Sequence, residues 1–249
     1  MVFTTQYRDS LRRKLIEIAK DDTRIKGAAI TGSASVGLED RWSDIDLFFG
    51  IDEQMLNRAL DDWTDLMYKQ HGAVHHLDVV SGKTIYRVFL LSNTLQVDLA
   101  FSPTSEFGAR GATFKLLFGD AVEITHQASP PTAHYLIGYG WLYALHARSC
   151  IQRGQWWRAE YMVSGIRDTV LSLACLRYKL PLAHARGVDQ LPTEVTAPLE
   201  KALVKGLNAY EISQSFKVVM NALLVEIECL DTELRKKLDE TLRNLVVEY

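Results

Sequence analysis

The hydrophobic pattern of the chain changes period near residue 125, and that change limits the folds open to it. Before that point IKGAAIT (25–31), DIDLFFGI (44–51), VHHLDVV (74–80), TIYRVFLLS (84–92) and LQVDLAF (95–101) read as strands. NRALDDWTDLMYKQ (57–70) reads as a helix between the second and third of them, and the first twenty residues as an amphipathic helix rather than a signal peptide. Beyond ITHQASPPTA (124–133), whose prolines and small polar residues mark a linker, apolar residues recur at helical spacing. Helices are expected over 132–153, 155–179, 194–208, 211–229 and 232–247. In the second of these Val163, Ile166, Val170 and Leu173 share one face, with Gly154 and Pro181 bracketing the segment. The expectation is an α+β protein: a small mixed-sheet domain over 1–125, then an all-helical bundle over 126–249.

Composition excludes several classes. No window approaches the eighteen or so unbroken apolar residues of a membrane span, so no membrane partner and a cytoplasmic location are expected. Cys150, Cys175 and Cys229 are odd in number and sit in helical segments, as buried reduced thiols do. Net charge is −3, with 14 basic against 18 acidic side chains through residue 125 and 14 against 13 beyond it. Neither half carries the clustered Lys and Arg that phosphate neutralisation along a polynucleotide needs, so no nucleic-acid partner is expected.

The chemistry concentrates in ITGSASVGLEDRWSDIDLFFG (30–50). GAAIT ends a strand, GSASVG turns into a short helix, LEDRWS loops, and DIDLFFG begins the next strand. Alternate strand residues share a face, so Asp44 and Asp46 present carboxylates side by side, with Cα atoms about 6.5 to 7 Å apart. Two such groups repel unless a cation meets them, and an oxygen-rich site suits Mg²⁺. Upstream, Gly32 allows close backbone approach to a ligand, Ser33 offers a hydroxyl, and the helix that follows would aim free N–H groups at a phosphate. Asp98, between Val97 and Leu99 on another strand, supplies a third carboxylate. Three carboxylates could hold two metal ions, provided the two strands are neighbours.

The pattern Gly-Ser, ten residues, Asp-Ile-Asp, then a later strand aspartate resembles the nucleotidyltransferase superfamily related to DNA polymerase β. GSASVGLEDRWSDIDLFF followed by a helical half is similar to antibiotic nucleotidyltransferases of the aminoglycoside and lincosamide type, as is GQWWRAEYMVSGIRDTVLSLACLRYKL (154–180). The resemblance implies that Gly32 and Ser33 contact the β- and γ-phosphates of ATP or another nucleoside triphosphate. It implies that Asp44 and Asp46 ligate Mg²⁺ and that Asp98 completes the metal site and promotes deprotonation of the acceptor. AMP would pass to a hydroxyl of a small molecule, and pyrophosphate would leave. Arg41 is a candidate phosphate contact. Glu160, on a polar stripe with Ser164 and Arg167, is the candidate acceptor-binding acid of the second domain, with Asp168 as its alternative.

Other readings compete. Asp44 also fits a turn, Asp46 a paired surface charge, Asp98 the solvent face of an alternating strand, and Arg41 a solvated loop position. Two aspartates could hold the metal of a DxD glycosyltransferase, although this leaves Gly32, Ser33 and Asp98 without roles; a non-catalytic nucleotide sensor on the same fold is a further alternative. Tyr135, Tyr139, Leu142 and His146 share a helical face that reads as packing before ligand contact. His75 and His76, adjacent on a strand, point to opposite faces and do not chelate one ion together. Lys83 and Lys115 could assist triphosphate binding without a motif to place them. The apolar stripes of the helical half would serve a homodimer interface or a core equally well, and a resistance enzyme and a housekeeping enzyme could share every residue named.

Overall fold

The computed structural model describes residues 2–124 and 131–246. The chain divides into two compact units, 1–128 and 129–249. The expected boundary at 125/126, most of the linker and the last residue of the helix expected over 232–247 lie outside the described residues.

In the first unit α1 (Thr5–Asp21) starts where the Thr4 hydroxyl accepts the Tyr7 N–H at 3.1 Å, the usual device for an otherwise unpaired helical donor. β1 (Ile25–Thr31), the single turn α2 (Gly32–Ser35), β2 (Ile45–Ile51) and α3 (Leu56–Gln70) follow. The hairpin of β3 (Ala73–Ser81) and β4 (Thr84–Leu91), then β5 (Gln96–Pro103) and β6 (Phe114–Gly119), complete a six-stranded sheet in the order β3-β4-β5-β2-β1-β6. β2 and β5 pair in parallel and every other neighbouring pair is antiparallel. The sheet is therefore mixed, as expected. β6 was not expected: it is a short edge strand of FKLLFG with a charge inside it, too brief for its pattern to stand out.

Strand alternation divides the sheet into two faces. Ile45, Leu47, Phe49 and Ile51 of β2 and Val97, Leu99 and Phe101 of β5 pack against Leu11 and Leu15 of α1 and Trp63 and Met67 of α3. Burial of each large side chain contributes about 2 kcal/mol by the apolar area removed from water. The opposite face carries Asp46 and Asp98 and, two residues further along each strand, Phe48 and Ala100, which pack with Ala29 and Phe107. The helical cover thus fixes the strands from one side and leaves the acidic face free of that core.

The second unit is all helical: α4 (Ala133–Gln152), α5 (Trp156–Arg177), α6 (Thr193–Glu200), α7 (Ala209–Leu230) and α8 (Thr232–Arg243). Val163, Ile166, Val170 and Leu173 of α5 are all buried, packed in one cluster with Phe216, Val219, Leu223 and Ile227 of α7. Gly140 brings α4 close to this core, since a β-carbon there would touch Leu223 at 3.0 Å. The helix expected over 194–208 ends at Glu200: Pro198 already lies inside it, and Asn208 adopts extended backbone so that its side chain can cap α7 through the Glu211 N–H. Cys150 and Cys175 are buried and free, whereas Cys229, expected to be buried, is exposed on α7. No helix among the described residues is long and apolar enough to cross a membrane.

Candidate functional site

The site begins where β1 ends. Gly32 adopts φ +62°, and a β-carbon built on it would stand 1.9 Å from Oδ2 of Asp46. Only glycine lets this left-handed turn lie against that carboxylate. Ser33, next in α2, accepts the Leu38 N–H through its carbonyl at 3.0 Å, which closes the turn that starts the following loop.

That loop is fastened from α1. Arg8 is almost fully buried, and its guanidinium donates to the carbonyls of Asp40 at 2.6 Å and Ser43 at 3.3 Å while lying 3.5 Å from Glu39. Arg12 pairs with the same Glu39. Within the loop the Asp40 carboxylate accepts from the Trp42 N–H at 2.7 Å and the Ser43 hydroxyl at 3.1 Å, bonds that hold its pKa below the ordinary value. The residue after Ser43 is Asp44. Neither arginine was singled out from the sequence, because a basic residue on an amphipathic helix reads as solvated.

β2 and β5 are neighbours, as a shared metal site requires, and their register sets Asp46 directly beside Asp98. Asp44, Asp46 and Asp98 each offer an oxygen within 4.8 Å of the others. Among the described residues this is the one group of three or more such side chains placed to share an ion. Gln96, which the sequence analysis did not single out, donates its amide to Asp44 at 3.3 Å and to both Asp98 oxygens at 3.0 and 3.1 Å. Burial pushes the Asp98 carboxyl up to about 6; the Gln96 bond opposes this and the charge on Asp44 adds to it. An all-oxygen, half-buried set of this kind fits a hard divalent cation such as Mg²⁺.

Along the same sheet face, Phe48 and Ala100 join Thr31, Tyr86, Phe114 and Arg110 around a cavity of about 200 Å³. Arg110 donates to the Thr84 hydroxyl at 2.7 Å and lies 3.6 Å from Glu106, and its Nε is buried with no acceptor among the described residues. The aromatic lining suits a ring rather than a second ion.

The remaining candidates are placed as follows. Arg41, exposed on the loop, donates to the Phe3 carbonyl and lies 4.8 Å from the ring centres of both Phe3 and Trp42, which fastens the segment before α1 to the loop. Lys83 pairs with Glu53 at 2.6 Å on the β3–β4 turn, and Lys115 is exposed on β6. His76 meets the Tyr68 hydroxyl at 2.9 Å. In the second unit Glu160 accepts from the Ser164 hydroxyl at 2.6 Å. Tyr135, Tyr139 and Tyr143 line a cavity of about 480 Å³ with Tyr161, Ser164 and Asp168, and Glu160 is not among its lining residues. The packing expectation for Tyr135, Tyr139 and Leu142 gives way here: all three are exposed, and the third ring of the row is Tyr143, one turn beyond Tyr139.

No protein-family model matches the chain, and no curated protein sequence matches it. Among solved structures it is similar to the crystal structure of an aminoglycoside 6-adenyltransferase from Bacillus subtilis, with 10% identity and a TM-score of 0.43, over 99% of this chain and 100% of that one.

Proposed function

We propose that this protein is a Mg²⁺-dependent nucleotidyltransferase, moving a nucleoside monophosphate from ATP or another nucleoside triphosphate to a hydroxyl of a small molecule. The observation that carries this reading is the meeting of Asp44, Asp46 and Asp98 within 4.8 Å, beside a Gly-Ser turn whose glycine no larger residue can replace. Asp44, Asp46 and Asp98 would hold one or two Mg²⁺ ions. Bound there, the metal supplies charge neutralisation for the triphosphate and for the oxygen that attacks it. Gly32 and Ser33 seat the outer phosphates. Asp98 takes the proton of the acceptor hydroxyl as that oxygen bonds to the α-phosphorus and the bond to pyrophosphate breaks. Positioning accounts for most of the remaining acceleration, so few further groups are needed.

The second unit is the acceptor-binding domain in this reading. The four tyrosines and Asp168 of its cavity suit an acceptor that bears amino groups and ring faces, as an aminoglycoside does. Asp168, paired with Arg167 at 3.1 Å, is better placed for that contact than Glu160 because it lines the cavity. The test is pyrophosphate release with Mg²⁺ and each nucleoside triphosphate over a panel of aminoglycosides and lincosamides. Acceptor-dependent release that is abolished by Asp44→Asn and by Asp46→Asn establishes the reaction. Release unaffected by both substitutions, or failure of the protein to bind any triphosphate with Mg²⁺, defeats the proposal.

A further inference from the structure

β3 is an edge of the sheet and nine residues long. Val74, Leu77, Val79 and Val80 are each more than half exposed, and every residue from Leu77 to Ser81 is open to solvent. An edge strand presents unpaired N–H and C=O groups that template another strand, and proteins blunt such edges with lysine, proline, bulges or short length. β3 has neither lysine nor proline, and its one irregularity falls at Ala73–His75, where it begins. The opposite edge is blunted in the expected way: β6 is six residues long, carries Lys115 and ends on Gly119 in a left-handed conformation.

The sequence of β3 also indicates its partner. Read backwards about Leu77, VHHLDVV complements itself: Leu77 falls opposite Leu77, His76 opposite Asp78, His75 opposite Val79 and Val74 opposite Val80. Apolar residues meet apolar residues at the centre and at both ends, while His76, bonded to Tyr68, falls beside Asp78, whose two oxygens Arg87 of β4 already holds. Centring the pairing one residue later would set one Asp78–Arg87 pair against the other and carry Val74 past the end of the strand; one residue earlier sets Asp78 against Val74. We propose that the protein forms a homodimer by antiparallel pairing of β3 with β3 of a second copy, about a two-fold axis through Leu77.

The two sheets then become one continuous sheet. Asp46, Asp98, Val88 and Leu77 lie in one row across β2, β5, β4 and β3, so the row runs unbroken into the second copy. A two-fold axis perpendicular to the sheet keeps both acidic trios on the same face, with the two Asp98 residues five strand spacings, or about 24 Å, apart. The four exposed apolar side chains are each covered on the flank that faces the second copy.

The experiment is sedimentation velocity of the full chain over a wide concentration range, on wild type and Leu77→Lys. A concentration-dependent dimer whose dissociation constant rises at least about tenfold in Leu77→Lys is the expected result, since the substitution sets two ammonium groups face to face. Leu77 is 62% exposed in a single copy, so circular dichroism and melting of the monomer should not change. As an independent readout, Leu77→Cys in a Cys229→Ser background should form a covalent dimer on mild oxidation, because the Cα separation of directly paired antiparallel residues falls within disulfide range. A wild type that stays monomeric throughout overturns the proposal. So does a dimer that is indifferent to Leu77→Lys and gives no cross-link at position 77.

Discussion

Gly32 leaves no room for a side chain beside Asp46: a β-carbon at position 32 would stand 1.9 Å from the carboxylate oxygen, and the backbone there is left-handed at φ +62°. Gly32→Ala therefore displaces either the turn or Asp46. The expected loss of stability is about 2 kcal/mol or more, from backbone strain and steric conflict together. Mn²⁺ affinity, read by electron paramagnetic resonance, should weaken in the same variant. Unchanged stability with unchanged metal affinity would mean that the turn is not fixed against the carboxylate.

Gln96 joins Asp44 to Asp98 through one amide group. In Gln96→Leu the two carboxylates face each other without that donor. Metal-free protein should lose about 1 kcal/mol, less than a buried bond to a charged group contributes because Gln96 is exposed. Saturating Mg²⁺ should restore most of the loss, since the ion takes over the neutralising role. Denaturant midpoints with and without Mg²⁺ distinguish this outcome from a defect that metal does not repair.

The raised pKa of Asp98 has a defined sign. In the folded protein it keeps its proton up to about pH 6, whereas in the unfolded chain it releases it near 3.8. The folded state thus binds more protons in that interval, and the contribution of Asp98 to stability falls as pH climbs from 3.8 to about 6 and is flat above. Metal-free Asp98→Asn escapes this cost and should be more stable than wild type at neutral pH, by up to about 3 kcal/mol. Metal binding follows the opposite course: protons compete with the ion, so affinity should drop as pH falls through about 6. Equal neutral-pH stability of the variant and wild type would show that burial does not perturb the group.

Arg8 acts at a distance, holding the carbonyls of Asp40 and Ser43 from α1. Arg8→Met leaves those carbonyls without their buried donor and Glu39 with Arg12 alone, for an expected cost of about 2 to 3 kcal/mol. Arg8→Lys should recover only part of this, because one guanidinium nitrogen meets the two carbonyls while a second lies against Asp9 and Glu39, a set that a single ammonium does not span. Metal affinity should weaken alongside stability, since Asp44 follows directly on Ser43; melting curves and metal titrations of both variants check the two effects separately.

The carboxylate trio was legible because strand alternation and the Gly-Ser spacing are both periodic signals. Asp46 and Asp98 met as the pattern required, once β2 and β5 proved to be neighbours. What escaped detection acts through contacts that have no sequence period. Gln96 looks like any polar residue opening a strand, and Arg8 like any cation on an amphipathic helix; each acquires its role only from the partner that folding brings to it. β6 was missed because its short edge position needs little apolar patterning. The tyrosine row was read one residue out of place, with Leu142 standing where Tyr143 belongs, because both lie within one helical turn of Tyr139.

The parallel ladder between β2 and β5 also orders events in time. Its two strands are separated in the chain by α3 and the β3–β4 hairpin, so their pairing closes a long loop and comes late relative to local structure. The repulsion between Asp44 and Asp98 is accordingly absent while the helices and hairpin form, and arises only when Leu47, Phe49, Leu99 and Phe101 are ready to hold the strands together. A divalent ion then has no early state to recognise: it should leave the refolding rate nearly untouched and slow unfolding, acting as a clasp on the finished sheet rather than as a template for its assembly.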